Sequence, residues 1–410
     1  MALRFIFLLL FLSVVDLYSY QWLRHLMISA SHPWKIVLNI LFWSGTLVTL
    51  ILTILFVLEV KIPSPALLTY LRAWAFISYF AKFISIPFIL IDDLRRIFNY
   101  TVKWIKPEYA FNASRSKFLS TAGALAAGFP FFTLLYGMAR NAYRYQVHKI
   151  KIPIKNLPAS LEGLRIVQIS DIHSGSFTSY SQVNKSVDII KNLNPDLLFF
   201  TGDLVNNKAE EIEPYIDIFK QMKGKYGSYS VFGNHDYGDY ERWPDNDAKI
   251  QNLDTLKAHH SSIGWSLLLN ANETIEVKGE KISIIGVENY SASNRFTKYG
   301  KLDQAYRGVP PDSLKLLLSH DPSHWNYEVN KKYQDISLTL SGHTHGFQFG
   351  VEIPGFKWSP SQYIYKEWAG LYSSENHQHL YVNRGFGFLG YPGRVGILPE
   401  ITLLELTAAV

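Results

Sequence analysis

"LSGHTHGFQFG" (residues 340–350) closes the apolar run "ISLT" (336–339) with two histidines two positions apart and a glycine on either side. In an extended segment residues i and i+2 point the same way, so His343 and His345 read as aimed at one centre. Gly342 and Gly346 would let the backbone turn close to whatever lies there. Histidine is both a metal ligand and a proton carrier. The reading gains force if other strands end in the same manner.

Four others do. "LRIVQIS" (164–170) runs into "DIHSG", "DLLFFTG" (196–202) into Asp203, "GSYSVFG" (227–233) into "NHD", and "LKLLLSH" (314–320) ends on His320. Short runs rich in branched residues are buried strands. Polar, helix-like segments at roughly 181–193, 209–223 and 247–262 separate the early ones. Strands alternating with helices predict an α/β fold with a largely parallel or mixed sheet. In such sheets ligands bind beyond the carboxyl ends of the strands, and here several strands deliver Asp, His or Asn to that one edge. "IEVKGEKISIIGV" (275–287) predicts a hairpin with a Gly-Glu turn, and "HLYVNRG" and "EITLLELT" supply two late strands.

The residues so gathered are Asp171, His173, Asp203, Asn234, His320, His343 and His345. Imidazoles, carboxylates and an amide suit borderline cations such as Mn, Fe, Zn or Ni. Seven ligands exceed one tetrahedral site and suit two divalent ions that share a carboxylate. Two ions about 3.5–4 Å apart can clamp the attacking and leaving oxygens of phosphoryl transfer. Two divalent cations against two aspartates leave the site net positive, which fits a phosphate ester better than a neutral substrate.

The chain has 410 residues, a formal charge of +6 and a pI near 9.0. It has no cysteine, which excludes disulfides, thiolate metal sites and cysteine nucleophiles. Many basic residues flank apolar stretches, so no nucleic-acid partner is expected. Ile36–Leu58 and Phe118–Met138 carry no charge, and each exceeds the roughly 20 residues that span a bilayer. Leu3–Tyr20, with Asp16, and Ala73–Ile91, with Lys82 and Pro87, bring the expected spans to four. "DLYSYQW" offers no small-x-small cleavage site, so the first helix is read as retained. Residues 1–145 form the expected membrane anchor and 146–410 the catalytic domain.

The segment from Asp92 to Lys117 carries Arg95, Arg96, Lys103, Lys106, Arg115 and Lys117, which predicts a cytoplasmic loop. The catalytic half then lies outside the cytoplasm, although Arg140, Arg144, Lys149 and Lys151 oppose this. "SRSKFLSTAGALAAG" (114–128) reads either as a decayed twin-arginine signal, with Ser116 at the second arginine, or as a basic flank before a helix.

"DIHSG", "GDLVN", "GNHDY", "LSHDP" and "SGHTHG" together resemble the ordered signature blocks of the calcineurin-like metallophosphoesterases. The closing "RGFGFLGYPGRVGILPEITLLEL" is similar to bacterial membrane-associated members. The resemblance covers about residues 150–408 and implies a four-layer α-β-β-α sandwich. It implies that Asp171, His173, Asp203 and His345 hold one metal, that Asp203 bridges, and that Asn234, His320 and His343 complete the second. It further implies a metal-bridging hydroxide as nucleophile, and His235 as acid for the leaving oxygen or donor to the transition state. "GDLVNNK" lacks the Asp-Arg-Gly continuation of the Ser/Thr protein phosphatases, which argues against that branch and leaves His235 without an assignable carboxylate partner.

Other residues carry competing readings. Asp236 reads as a local cap or pair. Arg384 and Arg394 could touch a phosphate or form structural salt bridges. His25, His32, His148, His259, His260, His324, His377 and His379 read as surface or interfacial residues. "GFGFLG" (385–390) matches G-x-G-x-x-G, but Tyr391-Pro392-Gly393 precludes the helix a dinucleotide site needs. The expected function is metal-dependent hydrolysis of a phosphate ester. An alternative substrate is a nucleotide-linked lipid, such as UDP-diacylglucosamine, cleaved at its pyrophosphate. A rival of another class is a metal-binding scaffold without turnover.

Overall fold

The protein is described by a computed structural model covering residues 2–409 except 29, 61, 63 and 107–112. The chain divides into two compact units, Met1–Tyr136 and Gly137–Val410.

Among its described residues the first unit contains four helices: α1 (Ala2–Leu26), α2 (His32–Val57), α3 (Pro65–Ile105) and α4 (Ala113–Tyr136). All four are long and apolar enough to cross a membrane. The expected basic loop is mostly helix, because α3 continues to Ile105 and α4 begins at Ala113; residues 107–112 lie outside the described residues. The continuation is supported by Asp92 pairing with Arg95 and Arg96, each at 2.9 Å and one helical turn away. Ser116, at the second position of the twin-arginine pattern, donates to Asp92 at 2.7 Å and links α3 to α4. Asp16 and Lys82, far apart in sequence, meet at 2.7 Å inside the bundle. Tyr79 donates to the same carboxylate at 2.8 Å, and Lys82 reaches Thr46 at 3.0 Å. An ionised side chain among apolar helices persists only when so paired.

The second unit is built from two six-stranded sheets. In chain order the strands are β1 (Gln146–Ile154), β2 (Arg165–Ile169), β3 (Leu197–Phe200), β4 (Ser228–Ser230), β5 (Ser266–Leu267), β6 (Ala271–Val277), β7 (Glu280–Gly286), β8 (Leu314–Leu318) and β9 (Ile336–Ser341). A separate two-stranded hairpin, β10 (Val351–Ile353) and β11 (Phe356–Trp358), precedes β12 (Gly370–Ser373), β13 (His379–Val382) and β14 (Glu400–Ala408). One sheet runs β1-β14-β2-β3-β4-β5 and the other β12-β13-β9-β8-β7-β6. Strands β2 to β5 are parallel, as are β7, β8, β9 and β13, while β6 and β12 are antiparallel edges.

Because strand side chains alternate, each sheet buries both faces. Phe199 and Leu197 join Ile284, Leu316, Leu338 and Leu404 between the sheets. Leu198 and Phe200 face the other way, against Val183, Val187 and Ile190 of α5 (Tyr180–Asn192) and Leu256 of α6 (Asn246–Ile263). Leu317 and Leu380 pack outward against Leu302, Trp325 and Val329. Helix, sheet, sheet, helix is thus the layer order. The predicted helix at 209–223 is instead a 3-10 segment, Ala209–Tyr215, and one α-turn; Pro214 removes a backbone donor there. The β6–β7 turn is Lys278-Gly279 and not Gly-Glu, both residues having positive φ as a tight hairpin requires.

Candidate metal centre

The carboxyl ends of β2, β3, β8 and β9, with the loop after β4, meet at one edge. Two groups of ligand-type atoms form there: Asp171, His173 and His345, and Asp203, His320 and His343. In the first, His173 Nε2 lies 3.0 Å from His345 Nε2, which is 3.3 Å from Asp171 Oδ1. In the second, His320 Nε2 lies 3.1 Å from Asp203 Oδ2 and 3.2 Å from His343 Nδ1. Asp203 Oδ2 is also 3.6 Å from His173 Nε2, so this one oxygen stands between the groups.

The two histidines of His-Thr-His do not share a centre. His343 and His345 have φ of 71° and 50°, with Thr344 helical between them, so the segment is not extended and the rings diverge to different groups. Asp171, His173 and Asp203 also have positive φ. Five of the seven candidate ligands therefore hold a backbone conformation that costs a non-glycine residue about 1–2 kcal/mol. Such strain collects at functional sites. Gly342 does allow the predicted close approach: a Cβ there would lie 2.0 Å from Ser170 Oγ and 2.2 Å from Asp171 Oδ2.

The electrostatics suit cation binding. Burial holds His345 well below its usual range, takes His173 down to about 3, and lowers His343. Neutral imidazoles are what a metal requires. Burial works against charge on His320, but the Asp203 carboxylate raises it to about 10. Burial likewise opposes ionisation of Asp203, but the same His320 holds its carboxyl well below the usual range. Asn234 Nδ2 donates to Tyr240 Oη at 3.0 Å, while its buried Oδ1 has no hydrogen-bond partner. An orphaned carbonyl oxygen beside converging acceptors fits a hard or borderline cation.

Several supports were not legible in the sequence. His235 Nδ1 donates to the Asn206 carbonyl at 2.7 Å, so a peptide oxygen takes the place of the carboxylate partner sought earlier. His320 Nδ1 is oriented by the Thr201 carbonyl at 2.7 Å, and His343 Nε2 by Tyr365 Oη at 2.7 Å. Asp321 Oδ2 stands 3.5 Å from the same nitrogen. Tyr240 and Tyr365 lie in loops that carry no pattern to mark them. Asp236 acts as expected: it accepts from the backbone N–H groups of Asp203, Leu204 and Gly233 at 2.7–2.8 Å, locking two site loops together.

Arg384 and Arg394 require correction as substrate contacts. Arg384 is buried and gives Nε and Nη2 to Glu352 and Nη1 to Glu400. Arg394, fully buried, donates to the carbonyls of Arg384, Gly385 and Gly387. Both stitch the β13–β14 connection behind the site. His260, His324 and His379 are likewise buried and not surface residues, bonded to Ser230, Ser319 and the Pro153 carbonyl. The "GFGFLG" segment leads into no helix. Phe386 and Gly387 donate instead to the carbonyls of Ser170 and Asp171.

Residues 164–347 match the calcineurin-like phosphoesterase family, and residues 3–142 match a probable transmembrane domain of calcineurin-like phosphoesterases. The chain belongs to the calcineurin-like metallophosphoesterases, whose members generally bind divalent metals. The N-terminal match narrows this to members with a transmembrane domain. The chain is similar to proteins described as "Transmembrane protein with metallophosphoesterase domain". The one from Danio rerio is 32% identical over 67% of this chain and 60% of that protein; the one from Bos taurus is 29% identical over 72% and 64%. A Bacillus subtilis metallophosphoesterase, YkuE, is 28% identical over 72% of this chain and 97% of that protein. The match thus spans less than two thirds of the length of the two animal relatives.

Proposed function

We propose that this chain is a membrane-anchored hydrolase of phosphate esters, with residues 1–145 as anchor and 146–410 as catalytic domain. Asp171, His173, Asp203 and His345 would hold one divalent cation, and Asn234, His320 and His343, with Asp203 shared, a second. The observation that carries the reading is the position of Asp203 Oδ2 between two otherwise separate ligand groups. Divalent cations so held lower the pKa of water and stabilise charge on phosphoryl oxygens. Mn, Fe, Zn and Ni all suit this nitrogen and oxygen set.

The chain's own residues do the rest. Asp236 and the strained loops fix the carboxylates. The Asn206 carbonyl fixes the His235 ring and leaves Nε2 as its proton-exchanging atom. His235 is half-buried at the rim, where it would protonate the leaving oxygen as water adds to phosphorus and the P–O bond breaks. The basic residues Arg95, Arg96, Lys103, Lys106, Arg115 and Lys117 support a cytoplasmic position for the segment from Asp92 to Lys117 and an extracytoplasmic catalytic domain.

The full chain in detergent, stripped by chelator, should hydrolyse bis(p-nitrophenyl) phosphate only after Mn is restored. Metal uptake at two ions per chain with no hydrolysis of any aryl phosphate would favour the scaffold reading instead.

A further inference from the structure

The segment that follows the second histidine, which ends in β10, is patterned inside out. Along 348–353, Gln348, Gly350 and Glu352 face the domain: Gln348 Nε2 donates to the Tyr391 and Gly393 carbonyls, Gly350 N–H to Val395, and Glu352 pairs with Arg384. The alternate residues Phe349, Val351 and Ile353 are exposed. Across the β10–β11 hairpin Ile353 pairs with exposed Phe356, while Glu352 pairs with Lys357, whose Nζ turns back towards Ala369 O and the Trp368 ring. A solvated hairpin shows the opposite arrangement, apolar inward and polar outward. The concentration is local. Among the described residues of the second unit, seven large hydrophobic side chains are exposed between Phe347 and Ile364, and four elsewhere: Tyr180, Tyr240, Ile250 and Tyr327. A local concentration of exposed apolar side chains of this kind marks an interaction surface.

Its position indicates the partner. The base of the hairpin bonds to Val395 through Val395 N–H to Gln348 O and Gly350 N–H to Val395 O, both 2.8 Å. Next to Val395, Arg394 N–H donates to Gly137 O, and Asn141 Nδ2 donates to Arg394 O at 3.1 Å. Gly137 to Asn141 are the last residues of the fourth membrane-spanning candidate, Ser116–Asn141. The base of the hairpin is therefore tied, through Val395 and Arg394, to Gly137–Asn141, the residues that open the second unit and continue the chain from the fourth candidate span. Its single carboxylate on the hairpin, Glu352, turns inward to Arg384, which it shares with Glu400. Phe, Trp and Tyr beside lysine is the composition of a membrane interface.

We propose that the Phe347–Ile364 segment, with the β10–β11 hairpin at its tip, docks into the lipid surface and so presents the neighbouring site to a phosphate ester carried on a lipid. The docking stands on the patch alone; the choice of substrate class rests on the hydrolase reading above. The physical consequence is that the site, only two residues upstream at His345, works at headgroup depth.

The absence of cysteine makes the test direct. Ile353→Cys and, as control, Ile250→Cys on α6 would each carry one environment-sensitive fluorophore in the full chain. Both would be reconstituted in phosphatidylcholine–phosphatidylglycerol vesicles. The label at 353 should shift to the blue and be quenched by brominated lipid but not by aqueous iodide; the label at 250 should behave oppositely. Equal iodide quenching at both positions would overturn the docking. So would self-quenching at 353 that grows with the protein-to-lipid ratio, which would assign the patch to a second copy of the chain. An I353D/F356D variant should lose at least tenfold in hydrolysis of a dialkyl-chain p-nitrophenyl phosphodiester held in the vesicle, and little on bis(p-nitrophenyl) phosphate in water. Equal loss on both substrates would overturn the lipid-substrate assignment. If neither substrate is hydrolysed by the unaltered chain, the hydrolase reading and the substrate assignment fall together, while the fluorophores still decide the docking.

Discussion

His235 and His345 sit within one edge of the domain yet should fail differently when replaced. His345 belongs to the group whose nitrogens and oxygens converge at about 3 Å, so His345→Ala should lose bound Mn together with activity. His235→Gln removes a proton donor and leaves the ligands in place. Metal content should hold while kcat falls by about 10²–10⁴; titration with Mn and a kinetic assay on the same preparation check both. Tyr365→Phe removes the hydroxyl 2.7 Å from His343 Nε2. Groups that orient a ligand in this way are worth about 10–100-fold in metal affinity, so an Mn titration of the variant should shift by that much. These readings depend on contacts of different legibility. Asp171, His173 and His320 stand in quotable blocks at strand ends, and a reader of the chain can find them. Tyr365, Tyr240 and the Asn206 carbonyl act through loops whose course is set by packing elsewhere, so no local pattern announces them.

At the level of elements, β14 carries a buried charge network. Glu400 is fully buried; burial alone would raise its carboxyl, but the Arg384 guanidinium at 2.7 Å brings it down to about 2. A carboxyl depressed in the folded state stabilises the fold at pH values above its unfolded range, and that contribution is lost as pH falls from about 4.5 towards 2. The size is about 3 kcal/mol. Chemical denaturation of the full chain in detergent at pH 7 and pH 3 should show the loss, and Glu400→Gln should lower stability at pH 7 and shrink the difference between the two pH values by about that amount. Phe199 on β3 belongs to the layer between the sheets, so Phe199→Ala should cost about 3–5 kcal/mol in the same assay without touching a ligand. Strand positions were readable because short apolar runs rich in branched residues mark strands buried on both faces. The 3-10 segment at Ala209–Tyr215 and the extension of α3 to Ile105 were not, since Pro214 in one case and the Asp92 ion pairs in the other override the local polarity pattern.

For the whole molecule, cations held at a centre assembled from four strand ends and one loop should tie those elements together. Chelation should lower the melting temperature of the second unit, and Mn should restore it, with a shift that grows with free Mn as binding to the folded state requires. A circular-dichroism melt of the full chain in detergent with and without chelator measures this. A reporter fused after Val410 tests the proposed topology: a periplasmic-type reporter should be active and a cytoplasmic-type reporter silent.

The sequence alone determined that apolar helices precede an α/β domain and that its strands end in Asp, Asn and His, because hydrophobic period and ligand chemistry are properties of short stretches. Only the tertiary structure decided that the His-Thr-His backbone is left-handed at both histidines and not extended, that Arg384 and Arg394 serve the interior, and that Asp16 meets Lys82. It alone revealed a hairpin wearing its apolar face outward. Each of these depends on backbone torsions and on partners tens to hundreds of residues away, which local preference does not encode.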